Sequence, residues 1–281
     1  MRKGKLRIGI VAPSSRIKPE LAEKITRYAK EQYGDAVALK IHPQCFLNDG
    51  HFAGSDEERA RAFLEYANSD EFDAIWFARG GYGAARMAQI ALPGLRESAR
   101  QKIYLGYSDT AALLGALYAR GCGLPLHGPM PSDFLRAGGE KAVKRAISFL
   151  LKGDDSALEA NVTPDSVTAA FNMTILAHMM GTPSAPDLTG HVLMLEEVSE
   201  AMYRFDRTML HLTSVPAIRR VAGIRLGRVS DVPENDPVFG ENEEEITKHW
   251  CAVAGIPYLG RADIGHDIEN KIVPFGRLRR D

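Results

Sequence analysis

Apolar residues fall along this chain in short runs that alternate with longer stretches of helical spacing. Residues 6–12 (LRIGIVA) end at Pro13-Ser14-Ser15, which predicts a strand leaving into a loop. Residues 19–32 carry Leu21, Ile25 and Tyr28 on one side and predict a helix. A second strand is predicted over 36–41, then a Gly/Asn/Asp-rich loop over 48–55. The next helix opens at Ser55-Asp56-Glu57-Glu58, acidic in its first turn, and runs to about residue 68. A third strand over 73–78 runs into Arg79-Gly80-Gly81-Tyr82-Gly83, followed by a helix over 84–90. A fourth strand, 103–105, leads into Gly106-Tyr107-Ser108-Asp109-Thr110 and an Ala/Leu-rich helix ending near Gly121. A fifth, 124–126, leads into His127-Gly128-Pro129-Met130, and a helix over 140–151 follows. Strands alternating with helices predict a parallel sheet covered on both faces. Ligands of such sheets bind beyond the carboxyl ends of the strands, the rim where Ser14, Gly80, Gly81 and Ser108 fall.

The rhythm changes after Gly153. Residues 154–165 are polar and irregular, a candidate domain boundary, and 168–180 is an apolar stretch that begins the second part. A strand over 191–195 ends in Glu196-Glu197, and a helix over 203–212 carries Arg204 and Arg207 on one turn. A strand over 221–226 and a helix over 242–254, acidic at its start, come next. Residues 257–264 are extended and lead into Gly265-His266-Asp267, and 272–275 closes the pattern.

Composition narrows the function classes. At 281 residues, 45% hydrophobic and 25% charged, the chain suits one large domain or two modest ones. A net charge of −1 provides no electrostatic case for nucleic acid or an anionic membrane. Cys45, Cys122 and Cys251 form no C-x-x-C pair, so neither a disulfide framework nor a zinc site is expected, and a reducing compartment fits best. Cys122 is expected to be a small buried residue. The first apolar run is too short for a secretory signal, and nothing approaches the roughly 20 apolar residues of a membrane span. A cytoplasmic protein is the expectation.

Ser108 falls between a strand and a helix. There its hydroxyl is exposed and the following N–H groups open a helix, as a serine nucleophile and its oxyanion hole require. Ser, Asp and Thr are also ordinary N-cap residues, and the second glycine of a G-x-S-x-G elbow is missing. On these residues alone the cap is favoured. Gly80-Gly81 has neither the position nor the spacing of a dinucleotide fingerprint. It reads as a cradle for an oxyanion or carboxylate with Arg79 beside it, or as a plain tight turn. His266 follows an extended run and a glycine, and Glu196 follows a strongly apolar strand. They are candidates for the base and its orienting carboxylate, or else a loop residue and a solvated strand end. Spacing leaves both readings open.

The segments ARGGYGAAR from Ala78, GYSDTAAL from Gly106, HGPM from His127, LMLEEVSEAMYRFDRTMLHL from Leu193 and ADIGHDIENKIVPFG from Ala262 occur in that order. Together with the V-A-P-S opening at Val11, they resemble the LD-carboxypeptidase family of serine peptidases over essentially the whole chain. The resemblance implies an N-terminal α/β domain with a Rossmann-like parallel sheet (1–155) carrying the serine. It further implies a linker (156–168) and a smaller β-rich C-terminal domain (169–281) carrying the glutamate and histidine. Ser108 is then the nucleophile, His266 the general base and Glu196 the carboxylate that orients it. The N–H of Asp109, with one from the Gly80-Gly81 turn, forms the oxyanion hole. The implied substrate is a murein tetrapeptide, cut between the L-centre of its diamino acid and the terminal D-alanine. The implied protein is a cytoplasmic homodimer that needs no metal or cofactor. Arg79 and Arg204 are candidates to bind the substrate carboxylate.

Two departures bear on substrate preference. Relatives often read G-G-N-L where this chain has Ala170-Phe171-Asn172-Met173-Thr174, and V-G-E where it has Val198-Ser199-Glu200. One alternative is the related microcin C self-immunity peptidase, which cleaves an aminoacyl-nucleotide amide. It calls for an aromatic platform, and Trp76 and Trp250, predicted in a strand and a helix, do not obviously supply one. A non-catalytic module holding a peptide carboxylate is the alternative from outside enzymology.

Overall fold

The computed structural model describes residues 4–278. The first part contains β1 (Leu6–Val11), α1 (Pro19–Tyr33), β2 (Val37–Ile41), α2 (Asp56–Ala67), β3 (Ala74–Phe77), α3 (Ala84–Ala91) and α4 (Glu97–Arg100). It continues with β4 (Ile103–Gly106), α5 (Ala111–Ala119), β5 (Leu124–His127) and α6 (Glu140–Lys152). The second part contains β6 (Thr168–Asn172), α7 (Met173–Met179), β7 (Val192–Val198), α8 (Met202–Ser214), β8 (Gly223–Ser230), α9 (Glu243–Ala254), β9 (Tyr258–Arg261) and β10 (Val273–Pro274).

The first sheet has the order β10-β5-β4-β3-β1-β2, and β1 through β5 run parallel. Its strand order reverses between β1 and β3, the switch point at which the loops after these strands diverge and leave a crevice. The second sheet, β6-β7-β8-β9, is parallel throughout and flanked by helices. Thus the β-rich second part is itself layered α/β. The strand β10 crosses back to pair antiparallel with β5, Val273 opposite His127. Bridges from Ile272 to Leu158 and from Gly276 to Thr168 tie the crossing down.

Local signals explain most boundaries. The start of α2 is a reciprocal capping box in which Ser55 accepts from Glu58 N and the Glu58 carboxylate accepts from Ser55 N. Asn242 and Glu245 repeat it at α9. The predicted 168–180 stretch splits at Asn172, whose side chain accepts from Ile175 N and so ends a strand and starts a helix. In α5, residues 111–117 are all buried, because it lies between the first sheet and the elements of the second part. Gly115 makes that approach possible: a Cβ there would sit 2.8 Å from Met179 Cε and 3.0 Å from Phe171 Cε1. Phe171, Leu195 and Met209 join Leu113, Leu117 and Phe275 in one apolar core, so the two sheets are held together by burial. All three cysteines are free and buried. No helix among the described residues is long and apolar enough to cross a membrane.

Candidate active site

Ser108 sits at the apex of the β4–α5 turn with φ 58, in the left-handed region that a non-glycine residue enters at a cost of about 1–3 kcal/mol. Its hydroxyl caps nothing. The N-cap positions belong to Tyr107 for the short 3₁₀ turn at Ser108–Thr110 and to Thr110 for α5, both without side-chain capping bonds. Instead, Ser108 Oγ lies 3.0 Å from His266 Nε2, and His266 Nδ1 lies 2.6 Å from Glu196 Oε2. A carboxylate only accepts, so the Nδ1 hydrogen points at Glu196 and Nε2 is left to accept from the serine. Residues 108, 196 and 266, far apart in sequence, converge in one hydrogen-bonded line.

The second sheet builds this line through a bulge. β7 runs on past the predicted end at Leu195, carrying Glu196 and Glu197 inside the strand. Leu195 pairs with Leu226 and Glu197 with Val229, so the register shifts between them and both Gly227 and Arg228 fall opposite the single residue Glu196. A Cβ on Gly227 would come within 2.9 Å of Glu196 Cβ, so glycine is what lets the carboxylate sit there at 0% exposure. Arg228 then reaches the other side of the histidine loop and pairs with Asp263 and Asp267. Glu197 faces away from the line and is fully engaged by Asn172, Thr174 and Val198 N. Asn172, the one residue kept from the G-G-N-L pattern, therefore steadies the residue beside the candidate carboxylate. Ser199, at the glycine of V-G-E, has φ 61, a conformation that glycine adopts freely.

The first sheet fixes the imidazole from below. The loop bearing His266 is held by Asn270 Oδ1, which accepts from Gly265 N and pairs with buried His127 Nε2. Arg145 donates to the carbonyls of Ile268 and Asn270. The Tyr107 ring packs 4.9 Å from the His266 ring, and its hydroxyl donates to buried Asp133 at 2.7 Å. Burial opposes the charged imidazolium of His266, yet Glu196, through charge and hydrogen bond, with Asp133 and Glu197, raises its pKa overall. Burial carries His127 the other way, down to about 4, against the opposing pull of Glu196 and Asn270 and with smaller help from His266 and Arg228, so that ring stays neutral at ordinary pH.

Gly80 faces the serine directly. A Cβ there would lie 2.8 Å from both Cβ and Oγ of Ser108, and 3.6 Å from Asp109 N. Gly81 has φ 116, and a Cβ on it would meet Ser15. We expect Gly80→Ala to displace the hydroxyl and lower kcat by about 10²-fold, the effect of a small misplacement of a reacting group. Circular dichroism should show an intact fold, and an unimpaired kcat would contradict the packing described.

Arg79 is exposed and has no hydrogen bond or ion pair among the described residues. Arg204 pairs with Glu200 at 3.8 Å and lies over Tyr203 in an open cleft of about 840 Å³, which residues 233–239 close from the other side. None of Ser108, Glu196 and His266 lines that cleft. The structure thus gathers the serine, histidine, glutamate, Asp109 and the glycine pair, and leaves the two arginines outside the hydrogen-bonded line. Asp133, Asn270, Arg59 and Ser14 are additional polar residues buried around it. Of these, Arg59 shows in the sequence as a charge on the apolar stripe formed by Ala62, Phe63 and Tyr66 of α2.

Two family models match the chain: the LD-carboxypeptidase N-terminal domain over residues 8–128 and the LD-carboxypeptidase C-terminal domain over 167–279. The murein tetrapeptide carboxypeptidase of Pseudomonas aeruginosa is 28% identical, with 96% of this chain and 91% of its own covered. Among solved structures, the muramoyltetrapeptide carboxypeptidase from Oxalobacter formigenes superposes with a TM-score of 0.80 at 24% identity, covering 96% of this chain and 92% of its own. The microcin C7 self-immunity protein MccF in its wild-type apo state has the same TM-score of 0.80 at 17% identity, over 98% of this chain and 92% of its own. At these identities the structural likenesses establish the fold.

Proposed function

The chain belongs to the LD-carboxypeptidase family, and from that premise we propose that it is a serine carboxypeptidase acting on murein tetrapeptides. The bond cleaved is the one joining the L-centre of the diamino acid to the terminal D-alanine. The observation that carries the reading is the unbroken line from Ser108 Oγ through His266 to Glu196. Ser108 Oγ attacks the carbonyl carbon and its proton passes to His266 Nε2. The carbonyl electron pair moves to oxygen, where the N–H of Asp109 and one from the Gly80-Gly81 turn receive it. Collapse breaks the C–N bond while His266 returns the proton to the departing D-alanine amine. Water then attacks the acyl-serine, giving its proton to His266. The ester bond breaks, the tripeptide leaves with a free carboxyl group, and Ser108 regains its proton. Glu196 holds the tautomer and stabilises the imidazolium in both halves. The chemistry calls for no metal or cofactor.

Complete burial of Glu196 supports catalysis over a passive carboxylate-binding role. Removing a carboxylate from water costs several kcal/mol, and here its hydrogen-bond partner is the imidazole. Neither tryptophan favours the aminoacyl-nucleotide alternative as an aromatic platform. Trp76 is buried with Nε1 donating to Pro129 O, and Trp250 Nε1 donates to Asp206. Arg79 and Arg204 remain our candidates for the substrate carboxylate. We further propose the division 1–155, 156–168 and 169–281, supported by the two family-model matches, with β10 reaching back into the first sheet. A cytoplasmic homodimer completes the reading.

A substrate panel tests it. Murein tetrapeptide should be cut to tripeptide, whereas the pentapeptide ending in D-Ala-D-Ala and an aspartyl sulfamoyl adenosine should stay intact. Cleavage of the nucleotide amide with the tetrapeptide untouched would overturn it.

A further inference from the structure

The loop that carries Gly80 and Gly81 runs on to Gly83 and the start of α3, and it is anchored by an unusual set of buried polar groups. Asp109, directly after the serine, is 3% exposed, and its carboxylate turns away from the site into the crevice between β1 and β3. There its Oδ2 accepts from Ser14 Oγ at 2.5 Å and from Ala84 N at 2.8 Å. The N–H of Gly83 also favours its charged form, although burial acts against it most strongly. Arg59, 1% exposed, donates to the carbonyls of Pro13 and Gly83 and to Gly54 O, and pairs with Asp56. The loop is closed on its other side by Ser15 N, which donates to Gly80 O at 3.3 Å. Three loops from the carboxyl edge of the sheet, after β1, before α2 and after β3, are thus locked together through two buried charges.

Burying a carboxylate and a guanidinium this deeply is costly, and an apolar filling of the same volume commonly stabilises a fold as well or better. What the charged set provides is position. Asp109 supplies one proposed oxyanion donor through its backbone, and its side chain fixes the loop that supplies the other.

We propose that the Asp109 carboxylate, with Ser14 and Arg59, is the positioning device of the oxyanion hole, setting the Gly80-Gly81 turn against the N–H that follows the nucleophile. Asp109 therefore acts twice, as a donor through its main chain and as a positioning residue through its side chain. The inference rests on the triad reading above. An oxyanion hole is occupied only when the carbonyl becomes tetrahedral. Loosening it consequently lowers kcat and weakens tetrahedral mimics, and leaves ground-state binding alone.

The test uses Asp109→Asn, which keeps the backbone N–H, and Ser14→Ala, which removes one donor to the carboxylate without adding bulk. Each is compared with the parent and with Ser108→Ala for kcat and KM on murein tetrapeptide. Inhibition by a peptide boronic acid, which forms a tetrahedral adduct on serine, is measured alongside binding of the tripeptide product. We expect kcat to fall about 10²-fold in Asp109→Asn and about tenfold in Ser14→Ala, the scale of a lost or misplaced oxyanion donor. Boronate affinity should fall in step, with KM and product affinity within about threefold of the parent. Should Asp109→Asn fail to fold, Ser14→Ala carries the test alone. Unchanged kcat in the folded variants, or equal losses of boronate and product binding, would overturn the inference and leave the triad standing. A parent that neither turns over nor binds the boronate overturns the triad reading, and this inference with it.

Discussion

Ser108→Ala is expected to lower turnover of murein tetrapeptide by about 10⁴-fold or more, equivalent to at least about 5 kcal/mol of transition-state stabilisation. The loss is large because three features meet on one atom. The backbone at φ 58 presents Oγ at the head of α5, His266 Nε2 stands 3.0 Å away, and Gly80 leaves the space beside it open. Alanine keeps the main chain and its N–H groups, so the variant should fold and bind the tetrapeptide with parent-like affinity. Steady-state kinetics with calorimetric titration of the same protein checks both halves. A variant that turns over within tenfold of the parent would assign the nucleophile elsewhere, and a protein whose ligand binding is all that can be measured, before and after substitution, would be a binding module.

Glu196→Gln should cost about 10³–10⁴-fold in kcat, the effect of an amide in place of the orienting carboxylate of a triad. An amide N–H facing His266 Nδ1 favours the tautomer with its hydrogen on Nε2, which cannot take the serine proton. The pH profile carries the sign. The imidazole must be neutral to act as base, so kcat/KM falls as pH drops through the His266 pKa. In the parent that pKa is raised above its ordinary 6.5, because burial, which lowers it, is outweighed by Glu196 with Asp133 and Glu197. Without the Glu196 charge, burial faces only the weaker contributions, and the acid limb should move to lower pH while the plateau drops. An acid limb that stays in place would mean that Glu196 does not face the titrating group.

Most of the framework is legible in the chain. Residues 6–12, 36–41, 73–78, 103–105 and 124–126 each mark a strand of the first sheet, since buried parallel strands must be short, apolar and bounded by loop residues. Asn242 and Ser55 announce their helices because capping is a local interaction. Prediction falters where a contact is made far along the chain. Glu196 reads as the end of a strand because carboxylates normally end up in water. It stays inside β7 because Gly227, on another strand, makes room and His266, 70 residues on, takes the hydrogen bond. The return of β10 to the first sheet has no local signal either, since Val273 and Pro274 form a strand only by pairing with β5. On its own segment Ser108 has the character of a cap, and the convergence of residues 108, 196 and 266 is a property of the two sheets packed together. The family resemblance implies that convergence, and periodicity alone does not.

The cushion of buried polar groups was hidden for the same reason. Tyr107, Asp133 and Asn270 bracket the imidazole from the turn after β4, the turn after β5 and the loop before β10, and no spacing rule links them. Each is buried and makes a hydrogen bond to another element of the site, Tyr107 with Asp133 and Asn270 with His127, which is how a rigid scaffold holds reacting groups in place.

The most direct measurement is D-alanine release from murein tetrapeptide by the purified parent protein, followed with a stereospecific amino-acid assay. D-alanine and tripeptide are expected in equal amounts, with catalytic turnover. A folded parent that releases no D-alanine would contradict LD-carboxypeptidase activity on this substrate.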